Sequence, residues 1–236
     1  MTPVKNNLWA IVPAAGIGQR MGATLPKQYV NVNHKPILAH TLDVICQIPH
    51  LKKVIVALHP EDHYWSKLIS PYDKIMTVIG GEVRNDSVLN ALNAIKNEAD
   101  AQDWVLVHDA VRPCITVDAI CKLLAEIHDH PVGGLWGVPV RDTLKQVDNQ
   151  HNVEKTIPRE FLWHAQTPQI FRFGLLYKAL QTVKQDNINI TDDANAIEYL
   201  GYHPKMVRGS YTNIKMTWPE DLILAEHWFK HVEVNS

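Results

Sequence analysis

No stretch of this 236-residue chain is apolar for the roughly 18 to 20 residues needed to span a bilayer, and its charge nearly cancels, with 23 Lys and Arg against 25 Asp and Glu. The first absence argues against a membrane protein. The second argues against a polyanion-binding surface on the scale of a DNA or membrane binder, so any phosphate chemistry must be local. Cysteine is scarce: Cys46, Cys114 and Cys121 are odd in number and lack a C-x-x-C spacing. No signal-peptide pattern occurs in "MTPVKNNLWAIVPAAG", and a reducing cytoplasm is the expected location. Internal repeats, low-complexity tracts and Gly/Ser- or Pro-rich linkers are also missing. With 46% hydrophobic residues the chain can build a sizeable core, and residues 1–236 are expected to form one domain.

Short β-branched runs recur: "LWAIV" at 8–12, "KVIVAL" at 53–58, "IMTVI" at 75–79, "WVLVH" at 104–108 and "VGGLWGV" at 132–138. They alternate with helical patterns. "ILAHTLDVICQI" puts Ile37, Leu38, Thr41, Leu42 and Ile45 on one stripe, and "SVLNALNAI" does the same with Val88, Leu89, Leu92 and Ile95. Strands apolar on both faces and alternating with helices predict a Rossmann-like α/β fold with a doubly wound, mostly parallel sheet. Residues 139–160 break the pattern. Two alternating segments flank the turn signal "DNQHN", which predicts a projecting β-hairpin arm, either a plain surface hairpin or a functional insertion or interface. Further on, Thr191 is the expected cap of "TDDANAIEYLG" with Gly201 as its stop. Thr217 and Glu220 have the spacing of a capping box before a closing helix.

The chemistry gathers in loops after strands, where open α/β sheets bind ligands. "VPAAGIGQRMGATLPKQY" follows the first strand. Gly16 and Gly18 begin a dinucleotide fingerprint, but Met21 stands where its third glycine belongs, and no G-K-[ST] completes a P-loop. What the loop has instead is a glycine cradle beside Arg20 and Lys27. Fixed cations there suit phosphoryl or nucleotidyl transfer, in which negative charge grows on the phosphate oxygens. "WVLVHDAVRP" supplies Asp109 at a strand end, a candidate ligand for Mg²⁺, which commonly takes only one or two protein carboxylates. "GGEVRNDSV" places Gly80 and Gly81 before a helix start with Asn85, Asp86 and Ser87 as capping candidates. A tight turn, or a close backbone approach to a base or ribose, would account for the glycine pair. The histidines of "HPEDH" and "HDH" lack H-E-x-x-H order and read as structural or surface residues.

In order along the chain, "PAAGIGQRMG", "PKQY", "GGEVRNDSV", "VHDAVRP", "PVRDTLK", "LWHAQTPQIF", "TDDA" and "NIKMTWPEDL" resemble the bacterial methylerythritol-phosphate cytidylyltransferases of non-mevalonate isoprenoid synthesis. The resemblance runs nearly end to end. It implies a CTP-dependent nucleotidyltransferase that joins CTP and 2-C-methyl-D-erythritol 4-phosphate with release of pyrophosphate, using Mg²⁺. By motif, Pro13, Ala14, Ala15, Gly16 and Gly18 would hold the nucleotide, while Arg20 and Lys27 stabilise the transition state. Gly80, Gly81, Glu82 and Ser87 would contact cytosine and ribose, and Asp109 would hold the metal. Arg159 and Lys215 would orient the sugar phosphate, with Arg112, Thr143, Thr167 and Thr191 lining its pocket. The family is a homodimer with embracing arms, so Thr143 and Arg159 would serve a neighbouring subunit's site. Pentitol-phosphate cytidylyltransferases share several motifs but typically open with an "LAGG" loop. "PAAG" and "DTLK" favour the erythritol substrate, and Trp218 is a mild departure.

Overall fold

The structure is a computed structural model, and it describes residues 6–16, 25–68 and 73–234. In chain order its first half contains β1 (Leu8–Ala14), β2 (Asn31–Val32), β3 (Lys35–Pro36), α1 (Ile37–Cys46), β4 (Leu51–Leu58), β5 (Ile75–Ile79), α2 (Arg84–Ile95), β6 (Trp104–Val107) and α3 (Val117–Ile127). There follow β7 (Gly133–Pro139), β8 (Leu144–Val147), β9 (Val153–Ile157), β10 (Trp163–Arg172), α4 (Phe173–Gln185), α5 (Asp193–Tyr199), β11 (Lys205–Arg208) and α6 (Pro219–Val234). One sheet has the order β11-β7-β10-β6-β1-β4-β5. Its strands share one direction except β10, which runs against both β6 and β7.

Side chains alternate across a strand, and β1 shows why its sequence is apolar throughout. Leu8, Ala10, Val12 and Ala14 face one core with Leu38, Leu42 and Ile45 of α1 and Ile120, Leu123 and Ile127 of α3. Trp9 and Ile11 face the other, with Val88 and Leu92 of α2, Leu176 and Leu180 of α4 and Ile197 of α5. Each buried Leu or Ile contributes roughly 1.5–3 kcal/mol, against about 0–1 kcal/mol for an exposed ion pair, so these two layers hold the sheet. A third cluster joins Val32, Ile37, Val111, Cys114, Met216 and Ala225. It packs α6 and the chain before it onto the segment that follows β6.

The doubly wound sheet and the hairpin expected from the sequence are present, with β8 and β9 paired antiparallel. Three helix starts differ from expectation. Helix α2 begins at Arg84 with extended Val83 as its N-cap, so Asn85, Asp86 and Ser87 lie inside the first turn. The cap of α5 is Asp192, not Thr191; its backbone is extended, and its side chain accepts from Asn195 N at 2.9 Å. At α6 the carboxylate of Asp221, not Glu220, accepts from Thr217 N and Trp218 N at 2.7 and 2.8 Å. Gly201 does end α5, at φ +81° with its N–H on Glu198 O. Strands β10 and β11 were not anticipated as strands.

Candidate active site

Strands β1, β4, β5 and β6 end on one rim, and a cleft of about 200 Å³ opens there. Pro13, Ala14, Ala15 and Gly16 form one wall, and Gly81, Glu82, Val83 and Ser87 another. Lys27 closes it from a single 3₁₀ turn, Lys27–Tyr29. The buried Gln28 side chain pins that turn to the end of β1 by donating to Ala14 O at 2.7 Å. The glycine pair has a packing cause. A Cβ on Gly80 would come within 2.5 Å of Ala15 Cβ, and one on Gly81 within 2.2 Å of Asp86 Cβ. Ser87 Oγ, itself buried, accepts from Gly81 N at 3.1 Å, which fixes the turn against α2.

A second cleft, of about 230 Å³, is lined by Arg112, Gln166, Thr167, Gln169, Thr191 and Asp192. Arg84, Asp109 and Lys215 line both clefts, so the two meet at one carboxylate. Asp109 is 6% exposed. Its Oδ1 accepts from Arg84 Nε at 3.0 Å, and its Oδ2 lies 3.3 Å from Arg112 Nε and 3.0 Å from Lys215 Nζ. Burial alone would favour the neutral acid. Arg84 first, then Lys215 and Arg112, override it and hold the carboxyl far below the usual carboxylate range.

The fold aims these cations through backbone anchors. Asn213 donates from Nδ2 to Thr167 O at 2.8 Å, and its own carbonyl accepts from Arg112 Nη1 at 2.7 Å. Met216 N donates to Val111 O at 2.8 Å. Lys215, between these two anchored residues, is thereby presented to Asp109. Gln169, buried in β10, bonds Asp192 Oδ2 and accepts from Ala194 N, which fixes the start of α5 against the second cleft.

His108 shows how rigid the segment is. Its Nε2 lies 3.0 Å from Arg112 O, an acceptor only, so Nε2 carries the proton. Nδ1 then accepts from the Thr167 hydroxyl at 3.1 Å, and that hydroxyl accepts from Asp109 N at 3.0 Å. Burial pushes the imidazole down to about 4, so it is neutral at physiological pH. The backbone around Asp109 is thus closed by a chain of hydrogen bonds that ends in β10.

Residues 8–231 match the 2-C-methyl-D-erythritol 4-phosphate cytidylyltransferase (IspD) family. The chain belongs to that family. Its relatives include the 2-C-methyl-D-erythritol 4-phosphate cytidylyltransferase of Hahella chejuensis, 44% identical over 97% of this chain and 95% of that one. Another, bearing the same name in Shewanella loihica, is 49% identical over 92% of this chain and 90% of the relative. The crystal structure of the Francisella tularensis enzyme superposes with a TM-score of 0.84 at 40% identity, over 94% of this chain and all of that one (100%).

Among the candidates drawn from the family motifs, Pro13, Ala14, Ala15, Gly16, Lys27, Gly81, Glu82, Ser87, Asp109 and Lys215 come together in the first cleft. Arg112, Thr167 and Thr191 join the second with Asp109 and Lys215. Gly80 lies behind the first cleft, packed on Ala15. Thr143 and Arg159 flank the hairpin strands, exposed, and line neither cleft of their own chain. Gly18 and Arg20 lie outside the described residues. Sequence reasoning passed over Gln28, Arg84, Gln169, Asp193 and Asn213. Each sits inside or beside a quoted motif, but its task depends on a partner that only the fold supplies.

Proposed function

We propose that the chain transfers the cytidylyl group of CTP to 2-C-methyl-D-erythritol 4-phosphate, giving 4-diphosphocytidyl-2-C-methyl-D-erythritol and pyrophosphate. The observation that carries this reading, beside family membership, is the meeting of two clefts at Asp109, whose carboxylate is paired with Arg84, Arg112 and Lys215. The glycine-walled cleft fits a nucleotide, and the second, lined by Thr, Gln and Arg side chains, fits a phosphorylated polyol. The incoming phosphate is itself the nucleophile, attacking the α-phosphorus in line, so catalysis needs positioning and charge stabilisation more than a general base. Lys27, with Arg20 from the same loop, would neutralise charge growing on the triphosphate. Lys215 and Arg112 would orient the attacking phosphate.

The donor set at Asp109 fits one divalent cation. The carboxylate is held ionised, and among the described residues Oδ1 accepts one hydrogen bond, from Arg84. Asp109 would hold Mg²⁺, which supplies charge neutralisation on the phosphates. The arm belongs to the same reading: in a homodimer, Thr143 and Arg159 of one copy would reach the other's second cleft. Phe161, 85% exposed beside Arg159, and Val153 are apolar surface for such a contact. Among the described residues no helix is long and apolar enough to cross a membrane, and a cytoplasmic location completes the proposal.

Pyrophosphate release over a matrix of four nucleoside triphosphates and a panel of alcohol phosphates tests it. The expected result is turnover confined to CTP with methylerythritol phosphate. Turnover with ribitol 5-phosphate in its place would assign the pentitol substrate instead, and turnover with another nucleotide would overturn the choice of base.

A further inference from the structure

Arg84 has no part in the mechanism above, yet it is a side chain on which the two clefts converge. As the first residue of α2 it lies between two carboxylates from distant parts of the chain. Nε donates to Asp109 at 3.0 Å, and Nη1 lies 2.9 Å from Asp193 Oδ2. Asp193 is fully buried, and its place is set because Gln169 holds the backbone of the next residue, Ala194. Asp109's other two cations are less committed to it. The Lys215 side chain is 42% exposed toward open cleft, and Arg112 makes its longer contact while its Nη1 is spent on Asn213 O. Lys215 can turn to an arriving phosphate, whereas Arg84 is held from behind by Asp193 and Arg112 by Asn213.

We infer that Arg84 is the positioning residue for Asp109, with Asp193 as its anchor. Its planar guanidinium lies between the two carboxylates, hydrogen-bonded through Nε to Asp109 and ion-paired through Nη1 with Asp193, and fixes the direction in which Asp109 faces the cleft junction. When a substrate phosphate draws Lys215 away, Arg84 keeps that aim. A lysine would preserve the charge but not the fork, because an ammonium is a point charge on a flexible stem. Simple structural bracing of α2 against α5 is the competing account. Buried ionic groups are weak contributors to stability compared with well-packed apolar ones, so bracing alone gives no reason for a charged residue at the junction of two ligand clefts.

The inference rests on the proposed function for what Asp109 does, and the test separates the two. Arg84→Lys, Arg84→Gln and Asp193→Asn are compared with the parent in thermal unfolding, calorimetric binding of CTP with Mg²⁺, and kinetics with CTP and methylerythritol phosphate. A ligand-free crystal structure of Arg84→Lys is added. The expected result for Arg84→Lys is an unchanged melting midpoint, CTP affinity within about threefold of the parent, and kcat at least about tenfold lower at constant KM for CTP. Asp109 should be displaced in that crystal. Arg84→Gln should lose more, and Asp193→Asn an intermediate amount. A kcat for Arg84→Lys within about twofold of the parent, a loss of CTP affinity equal to the loss of kcat, or a loss matched by the unfolded fraction would each overturn the inference. Should Arg84→Gln fail to fold, Arg84→Lys and Asp193→Asn decide. If the parent releases no pyrophosphate, the functional reading fails, and the position of Asp109 in the Arg84→Lys crystal still shows whether Arg84 aims it.

Discussion

Around Asp109 the side chains of Arg84, Arg112 and Lys215, from the start of α2, the chain just after β6 and the segment before α6, meet on one buried carboxylate, whereas on and beside β8 and β9 Thr143, Val153, Arg159 and Phe161 lie on the surface. The first region is finished by its own chain. Its charges are opposed, its backbone is pinned, and the cost of desolvating them is met during folding, which is what electrostatic preorganisation requires. The second presents polar and apolar groups with little of the chain packed on them, the condition of a surface completed by association. In the proposed homodimer, one chain builds the electrostatic centre of a site and offers the remainder to its partner.

The most damaging way to break this contrast is Asp109→Asn. It leaves Arg84, Arg112 and Lys215 facing an amide, and uncompensated buried charge costs about 3–5 kcal/mol. Denaturant unfolding should show that loss, together with turnover reduced by more than about a thousandfold. Unfolding at the parent's midpoint would mean that the cluster is not the tightly coupled unit described.

Acid should strike the same region next. His108 is held at about 4 in the folded state against an unfolded value of 6.5, so the unfolded chain takes up the proton first as pH falls. Its contribution, about 3 kcal/mol, is fully present above pH 6.5 and lost progressively down to about pH 4. In His108→Gln the slope of stability across this window should flatten. The arm has no part in this titration, and variants there should keep the parental slope.

A smaller effect, and a sharper one for the arm, comes from Arg159→Ala. Its unfolding free energy should stay within about 0.5 kcal/mol of the parent, while turnover falls about 10- to 100-fold. Mixed with Lys27→Ala subunits, it should regain up to about a quarter of parental activity, because each mixed dimer of crossed arms rebuilds one intact site. No recovery would mean that the arm serves its own chain. Phe161→Ser gives the smallest effect on the chain itself, within about 0.5 kcal/mol, with a shift toward monomer in sedimentation.

Much of this was legible in the residues because the responsible forces are local. The apolar run of β1 declares burial on both faces, and the hairpin declares itself by alternation around a turn. Asp109 stands at a strand end where ligands gather. Strand β10 escaped notice because Gln166 and Gln169 interrupt its apolar run, and their burial is made tolerable by partners such as Ser210, Asp192 and Ala194, remote in sequence. Strand β11 is a short edge with alternate residues exposed. At α5 neighbouring acceptors Thr191 and Asp192 are chemically equivalent and backbone geometry chooses between them, whereas at α2 the extended Val83 takes the cap position without a side-chain acceptor. Arg84 was visible inside "GGEVRNDSV", but its two carboxylates lie in other motifs and meet it only across the folded sheet.

The reversed direction of β10 has a mechanical consequence. Because it runs against β6 and β7, its beginning, not its end, lies at the rim of the site, and it enters there directly from the arm. Between the exposed arm and the hydroxyl beneath Asp109 the chain turns at Arg159–Leu162, closed by Leu162 N on Arg159 O, and the pairing of β10 with β7 shifts register between Ala165 and Gln169. A second copy that displaced the arm would therefore reach the floor of the second cleft through a hinge and an irregular strand, which soften the link between assembly and the alignment of the attacking phosphate.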